Sequence, residues 1–157
     1  MSVTSSPSAA AAIDIAPQHH PGWRRARRFT RRTCDWLNLA FASAIVLGVF
    51  VQVYLIGSYI FGAGQGALDA HRAVGFALQG PELFVLLTAL IAWLPRIDLL
   101  FSFLVAVVGF VQAFLASTHE WVGGLHPLLA LVLFSLAATL ALRGIRRHGE
   151  AHRVRRT

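Results

Sequence analysis

The chain contains no lysine and a single cysteine, and only 13% of its 157 residues are charged against 56% hydrophobic. Each scarcity excludes something. Cys34 alone cannot close an internal disulfide, and nothing beside it makes a metal site. It reads as a small apolar residue where the first apolar run begins. The apolar fraction is too high for an ordinary soluble domain or a disordered chain. A nucleophile elbow, a phosphate loop and a zinc helix motif are all missing, so no hydrolytic or transferase chemistry is legible. A metal site needs about three convergent ligands, and only His71, His126, His119 and Glu120 are available at one end of the apolar blocks.

Charge is missing in long blocks. Residues 36–68 carry none, 73–94 carry only Glu82, and 99–118 and 122–142 carry none. A helix needs about 20 such residues to cross about 30 Å of hydrocarbon. The blocks predict four membrane spans, about 38–60, 72–94, 98–117 and 124–142. The connections, 61–70, 95–98 and 118–123, are short. Short connections make consecutive helices antiparallel neighbours, so the expected fold is all-α, an up-down-up-down four-helix transmembrane bundle. Residues 1–22, rich in Ser, Ala and Pro without a period, read as a disordered tail. A basic flank follows over 23–35, then a membrane domain over 36–143 and a basic tail over 144–157. The apolar run after the first arginines is too long for a signal peptide and lacks a cleavage site.

All fourteen basic residues are arginine, and the formal net charge is +7. Six arginines lie in 23–32, six in 143–156, and Arg96 in the second connection; only Arg72 lies at the other end. The positive-inside rule then predicts a multi-pass protein of a bacterial cytoplasmic membrane with both termini in the cytoplasm. Arginine-rich flanks of this kind meet anionic headgroups. With four spans behind them, they do not point to nucleic acid.

Two stretches repeat: FVQVYL at 50–55 and FVQAFL at 110–115. Each glutamine, Gln52 and Gln112, is followed by a histidine at the start of the next span, His71 and His126. The expected unit is a hairpin of an outward Gln helix and an inward His helix, used twice about an axis along the membrane normal. In an up-down bundle the second and fourth helices are diagonal, so the two histidines face each other at one end. A bundle can offer two axial imidazoles to a b-type haem in this way. The bland alternative is a pair of interfacial histidines packed between helices. Gly75 and Ala130 each lie four residues past a histidine, on the same helix face. Small residues there would admit a porphyrin, or simply tight helix packing. Gln112 and Gln52 have two candidate roles, second-shell contact to imidazole or haem and interhelical hydrogen bonding. Gln52, about 12 Å below the end of its span, is expected too deep to touch His71, and direct contact is assigned to Gln112. Arg72 would hold a haem propionate or anchor the interface beside Asp69. Glu82, the one acid inside a span, is expected to face the bundle interior, as a hydrogen-bond donor or part of a proton path.

HRAVG at 71–75 and VQAFLASTHEWVGGLHPLLALVL at 111–133 resemble one four-helix half of the haem A synthase family. The same Gln–His layout is similar to that of small uncharacterised four-span bacterial membrane proteins. The resemblance implies that His71 and His126 are axial haem ligands. The catalytic half of that family carries a Glu one turn before its second-helix His, where this chain has Leu68. The nearest acid, Asp69, lies on a different face, which argues against haem A synthesis. The chain is then expected to be a membrane haem-b protein for electron transfer or for haem handling or sensing. It would act alone, as a homodimer or in a larger membrane complex. The alternative is a cofactor-free four-span accessory or assembly subunit of such a complex.

Overall fold

The computed structural model describes residues 21–116 and 120–154. They form α1 (Pro21–Ile60), α2 (Gln65–Ala92), α3 (Arg96–Ala116), the single turn α4 (Glu120–Gly123) and α5 (Leu125–Val154). Among the described residues there is no strand. Four helices, α1, α2, α3 and α5, are long and apolar enough to cross a membrane. The all-α four-helix membrane bundle is therefore as expected. The helix α1 packs against α2 and α5, and α3 packs against the same two. Among the described residues the backbones of α1 and α3, and those of α2 and α5, do not approach each other closely, so each of these pairs is a diagonal of a square.

An apolar helix in lipid gains little by hiding apolar surface from another helix, so close packing and polar contacts must hold the bundle together. The inward stripe of α2 runs His71, Gly75, Leu78, Glu82, Val85, Ala89 in steps of four and three. That 3.5-residue period keeps one seam facing its partners. Glycines allow the close approach: Gly48 of α1 makes room for Leu78, and Gly109 of α3 for the Glu82 side chain. Below them lies a core of Ala42, Ile45, Val85, Val105, Leu133 and Leu140. Large apolar side chains such as Phe50, Phe76, Phe110 and Leu131 point outward, as a lipid-facing surface requires.

The element boundaries differ from the expected spans. The helix α1 has 40 residues, about 60 Å and roughly twice the hydrocarbon thickness. The basic flank 23–35 is thus the first part of the same helix. Pro21 starts it, at a position where the absent N–H has no helical partner to lose. The tail expected over 1–22 lies outside the described residues up to residue 20, and its last two residues are helical. The basic tail expected from 144 is, as far as Val154, a continuation of α5. The first connection is residues 61–64 only, not 61–70. Gly62 and Gly64 take positive φ, 94° and 81°, which lets four residues reverse the chain; Gly66 is already helical.

The end that carries the termini is polar inside. Asp98, in the first turn of α3 and 1% exposed, pairs with both Arg143 and Arg147 of α5. Arg147 also reaches Asp35 of α1 at 3.0 Å. His148 stacks on Trp36, with ring centroids 3.8 Å apart. One turn deeper, the Asn38 amide donates to the Val85 carbonyl at 2.7 Å and approaches Ser102 Oγ at 3.4 Å. Arg31 Nε donates to the Ala92 carbonyl at 3.0 Å, capping the end of α2. Two tail arginines expected to be free for headgroups therefore clamp α1, α3 and α5 together. Removing one member of a buried ion pair costs about 3–5 kcal/mol. Both arginines retain access to water, so Asp98→Ala is expected to cost about 3 kcal/mol. Reversible unfolding in detergent, followed by circular dichroism, measures it; an unchanged midpoint would show that the clamp contributes nothing.

Candidate functional site: a histidine and glutamine layer

The opposite end of the bundle holds a second polar layer, made by all four long helices. Gln52 comes from α1, His71 from α2, Gln112 from α3 and His126 from α5; all four are half-buried. His71 Nδ1 bonds the backbone carbonyl of Gln52 at 3.1 Å. His126 Nδ1 bonds the backbone carbonyl of Gln112 at 3.0 Å. A carbonyl only accepts, so both Nδ1 atoms carry the proton and a neutral ring keeps its lone pair on Nε2. The two rings lie 6.4 Å apart between centroids, with planes at 84°.

The contact between His71 and Gln52 corrects an expectation. Gln52 is not too deep for His71, because α2 starts at Gln65 and not near residue 72. His71 is therefore about 9 Å along α2, level with a residue about 12 Å from the end of α1. The atom that Gln52 offers is its main-chain oxygen, which no side-chain pattern announces. Gln112 makes the same contact, so the two glutamines act alike. The start of α5 at Leu125 puts His126 inside the first helical turn, where the following Pro127 loses no helical hydrogen bond.

The glutamine side chains are separate from these bonds. Gln52 Oε1 and Gln112 Oε1 are buried and, among the described residues, lack a hydrogen-bond partner. The Gln52 amide lies against the Cα of Gly75, where an added Cβ would sit 2.6 Å from its Nε2. Gly75 thus receives the Gln52 side chain, and its lack of Cβ is needed for that contact. Ala130 is half-buried on α5, one turn past His126. Glu82 lies deeper, 4% exposed, with its carboxylate against Gly109; among the described residues no hydrogen bond to it is found. Arg72 is not part of the layer. It is exposed and pairs with Asp69 at 3.4 Å, a contact of at most about 1 kcal/mol. His119 lies outside the described residues, and among the described residues no group of three metal-ligating side chains forms.

Comparison of the chain with protein-family models, with curated proteins and with solved structures returns no match. Function must therefore be read from the layer itself. Two Nε2 lone pairs on diagonal helices can serve one metal centre between them, and two unpaired amide oxygens can accept from a group held there.

The Asp98 clamp was not among the expected site residues. Its signal was nevertheless present: Asp35 and Asp98 are acids set beside arginine-rich ends.

Two outcomes are expected. In histidine-labelled protein, nitrogen NMR shows both rings as the Nδ1–H tautomer; an Nε2–H tautomer for either would remove the basis for metal ligation. An unsatisfied buried carbonyl costs about 1–3 kcal/mol, and an apolar replacement is close to neutral. Gln112→Leu should therefore leave the cofactor-free protein as stable as the parent, within about 1 kcal/mol, or make it more stable. A loss of several kcal/mol would mean that the amide is structural.

Proposed function

We propose that the chain is a small multi-pass membrane protein that holds a b-type haem between α2 and α5, with His71 and His126 as axial ligands. The observation that carries this reading is the matched pair of Nδ1-to-carbonyl bonds with the rings 6.4 Å apart. Donation from Nδ1 to a carbonyl orients the ring and raises the basicity of Nε2, as is usual for ligating histidine. The Gln52 and Gln112 side chains border the same site. The propionates of a haem only accept, so an amide N–H of either glutamine would donate to them, and the Gln52 amide over Gly75 is the side chain that an entering ring would meet.

His71 and His126 would hold the haem, which when bound would supply a reversible one-electron couple. The role is therefore electron transfer, or haem handling or sensing. Haem A synthesis does not fit, because Leu68 stands where that chemistry needs a carboxylate. An Arg72 contact to a propionate would have to compete with Asp69. The paired Gln–His contacts support descent from a duplicated hairpin and the resemblance to one half of the haem A synthase family. The distribution of arginines supports a bacterial cytoplasmic membrane with both termini inside, and the arginine-rich end at the anionic headgroups. A homodimer or a larger membrane complex is compatible with the outward apolar faces.

The test is spectroscopic. Protein purified in detergent from haem-replete cells is expected to show a low-spin b-type spectrum in oxidised and reduced forms. His71→Ala and His126→Ala should each lower retained haem at least about tenfold. A colourless protein after haem supplementation would refute the proposal and leave the cofactor-free accessory subunit as the reading.

A further inference from the structure

We infer that the first turns of α1 form a selective site for the phosphate headgroup of an anionic membrane lipid. An open surface groove of about 290 Å³ is lined by the exposed side chains of Trp23, Arg24, Arg27, Arg28 and Arg31. The four arginines follow the spacing i, i+3, i+4, i+7, so their side chains share one stripe of the helix. The acids that form ion pairs in the described residues, Asp35, Asp69 and Asp98, are engaged by Arg72, Arg143 and Arg147. Four like charges thus line one groove, and a bound anion would relieve their mutual repulsion. The guanidinium fork matches the oxygens of a phosphate better than a point charge does.

A second observation places the groove at headgroup depth. Trp93 ends α2 in the left-handed conformation, φ 55° and ψ 50°, where helices usually put glycine. A bulky residue rarely tolerates that backbone. Here its ring is used: it is 69% exposed, and the Arg27 guanidinium lies 5.9 Å above its centroid. Arg31 is held to the same turn through the Ala92 carbonyl at 3.0 Å. The turn that closes a membrane-crossing helix marks the membrane surface, where tryptophan concentrates. The arginines tied to this turn therefore lie level with lipid phosphates, which favours a lipid over a soluble phosphate as the occupant.

The inference rests on the membrane placement in the reading above and not on the haem. Native mass spectrometry of the full chain in detergent tests it, with dioleoylphosphatidylglycerol or dioleoylphosphatidylcholine added. The phosphatidylglycerol adduct is expected to exceed the phosphatidylcholine adduct at least about tenfold. The triple variant Arg24→Gln, Arg27→Gln, Arg28→Gln should lose that preference. The triple Arg25→Gln, Arg32→Gln, Arg146→Gln removes the same charge outside the groove and should retain it within about twofold. Helicity by circular dichroism and carbonate extraction confirm that each variant is folded and integral. Equal losses in the two triples mean diffuse charge attraction and overturn the site. Equal binding of the two lipids overturns it as well. Displacement of the lipid by millimolar inorganic phosphate would assign the groove to a soluble anion and overturn the lipid occupant. A colourless chain that still selects phosphatidylglycerol overturns only the haem.

Discussion

A polar atom inside hydrocarbon has only other protein atoms to pair with, and an unpaired one costs several kcal/mol. That constraint organises the whole bundle. Polar side chains gather in two layers near its ends, with apolar packing between them that only Glu82 interrupts among the buried described residues. At the arginine-rich end the solution is charge: Asp98 is answered by two arginines of α5, and Asp35 shares one of them. Asn38 and Ser102 complete that layer with uncharged contacts. The clamp joins α1, α3 and α5, and Arg31 ties in the end of α2.

The other layer meets the same constraint with main-chain oxygens. Each histidine satisfies one ring nitrogen on a neighbouring helix by using a main-chain oxygen. That carbonyl belongs to a helix interior, where its first lone pair serves the helix and its second is free for a side chain. The bond therefore disturbs no secondary structure and holds each ring at a fixed angle. The amide oxygens of the same glutamines are left unpaired. A bundle selected for stability alone would have leucine there, as it does at so many other inward positions. Among the described residues the clamp layer also keeps buried atoms without partners, Asn38 Oδ1 and Arg147 Nε, so what separates the histidine layer is its pair of imidazoles with Nδ1 engaged and Nε2 left as a lone pair.

The four crossings, their order and the pairing of opposite helices were legible from charge-free blocks and short connections. The ends of the elements were not. Residues 23–35 read as a separate flank because their arginines break the apolar pattern, yet arginine is a good helix former and continues α1 without interruption. Residues 65–70 read as a loop because three glycines lie nearby, yet only Gly62 and Gly64 take conformations that need glycine. That error of about six residues placed His71 too high and hid its contact with Gln52.

By itself the sequence determined that this is a four-span helical membrane protein with one arginine-rich end, and that Gln52, His71, Gln112 and His126 share the other. Charge-free length and residue order are enough for that, because hydrocarbon thickness and short loops leave one arrangement. Only the tertiary structure decided which atoms meet. It paired each histidine with a backbone carbonyl, set the rings 6.4 Å apart, and gave Asp98 its arginines. Those contacts depend on the rotation and axial shift of packed helices. A sequence of mostly apolar residues encodes such shifts through glycine and side-chain volume at many positions at once, not through any motif.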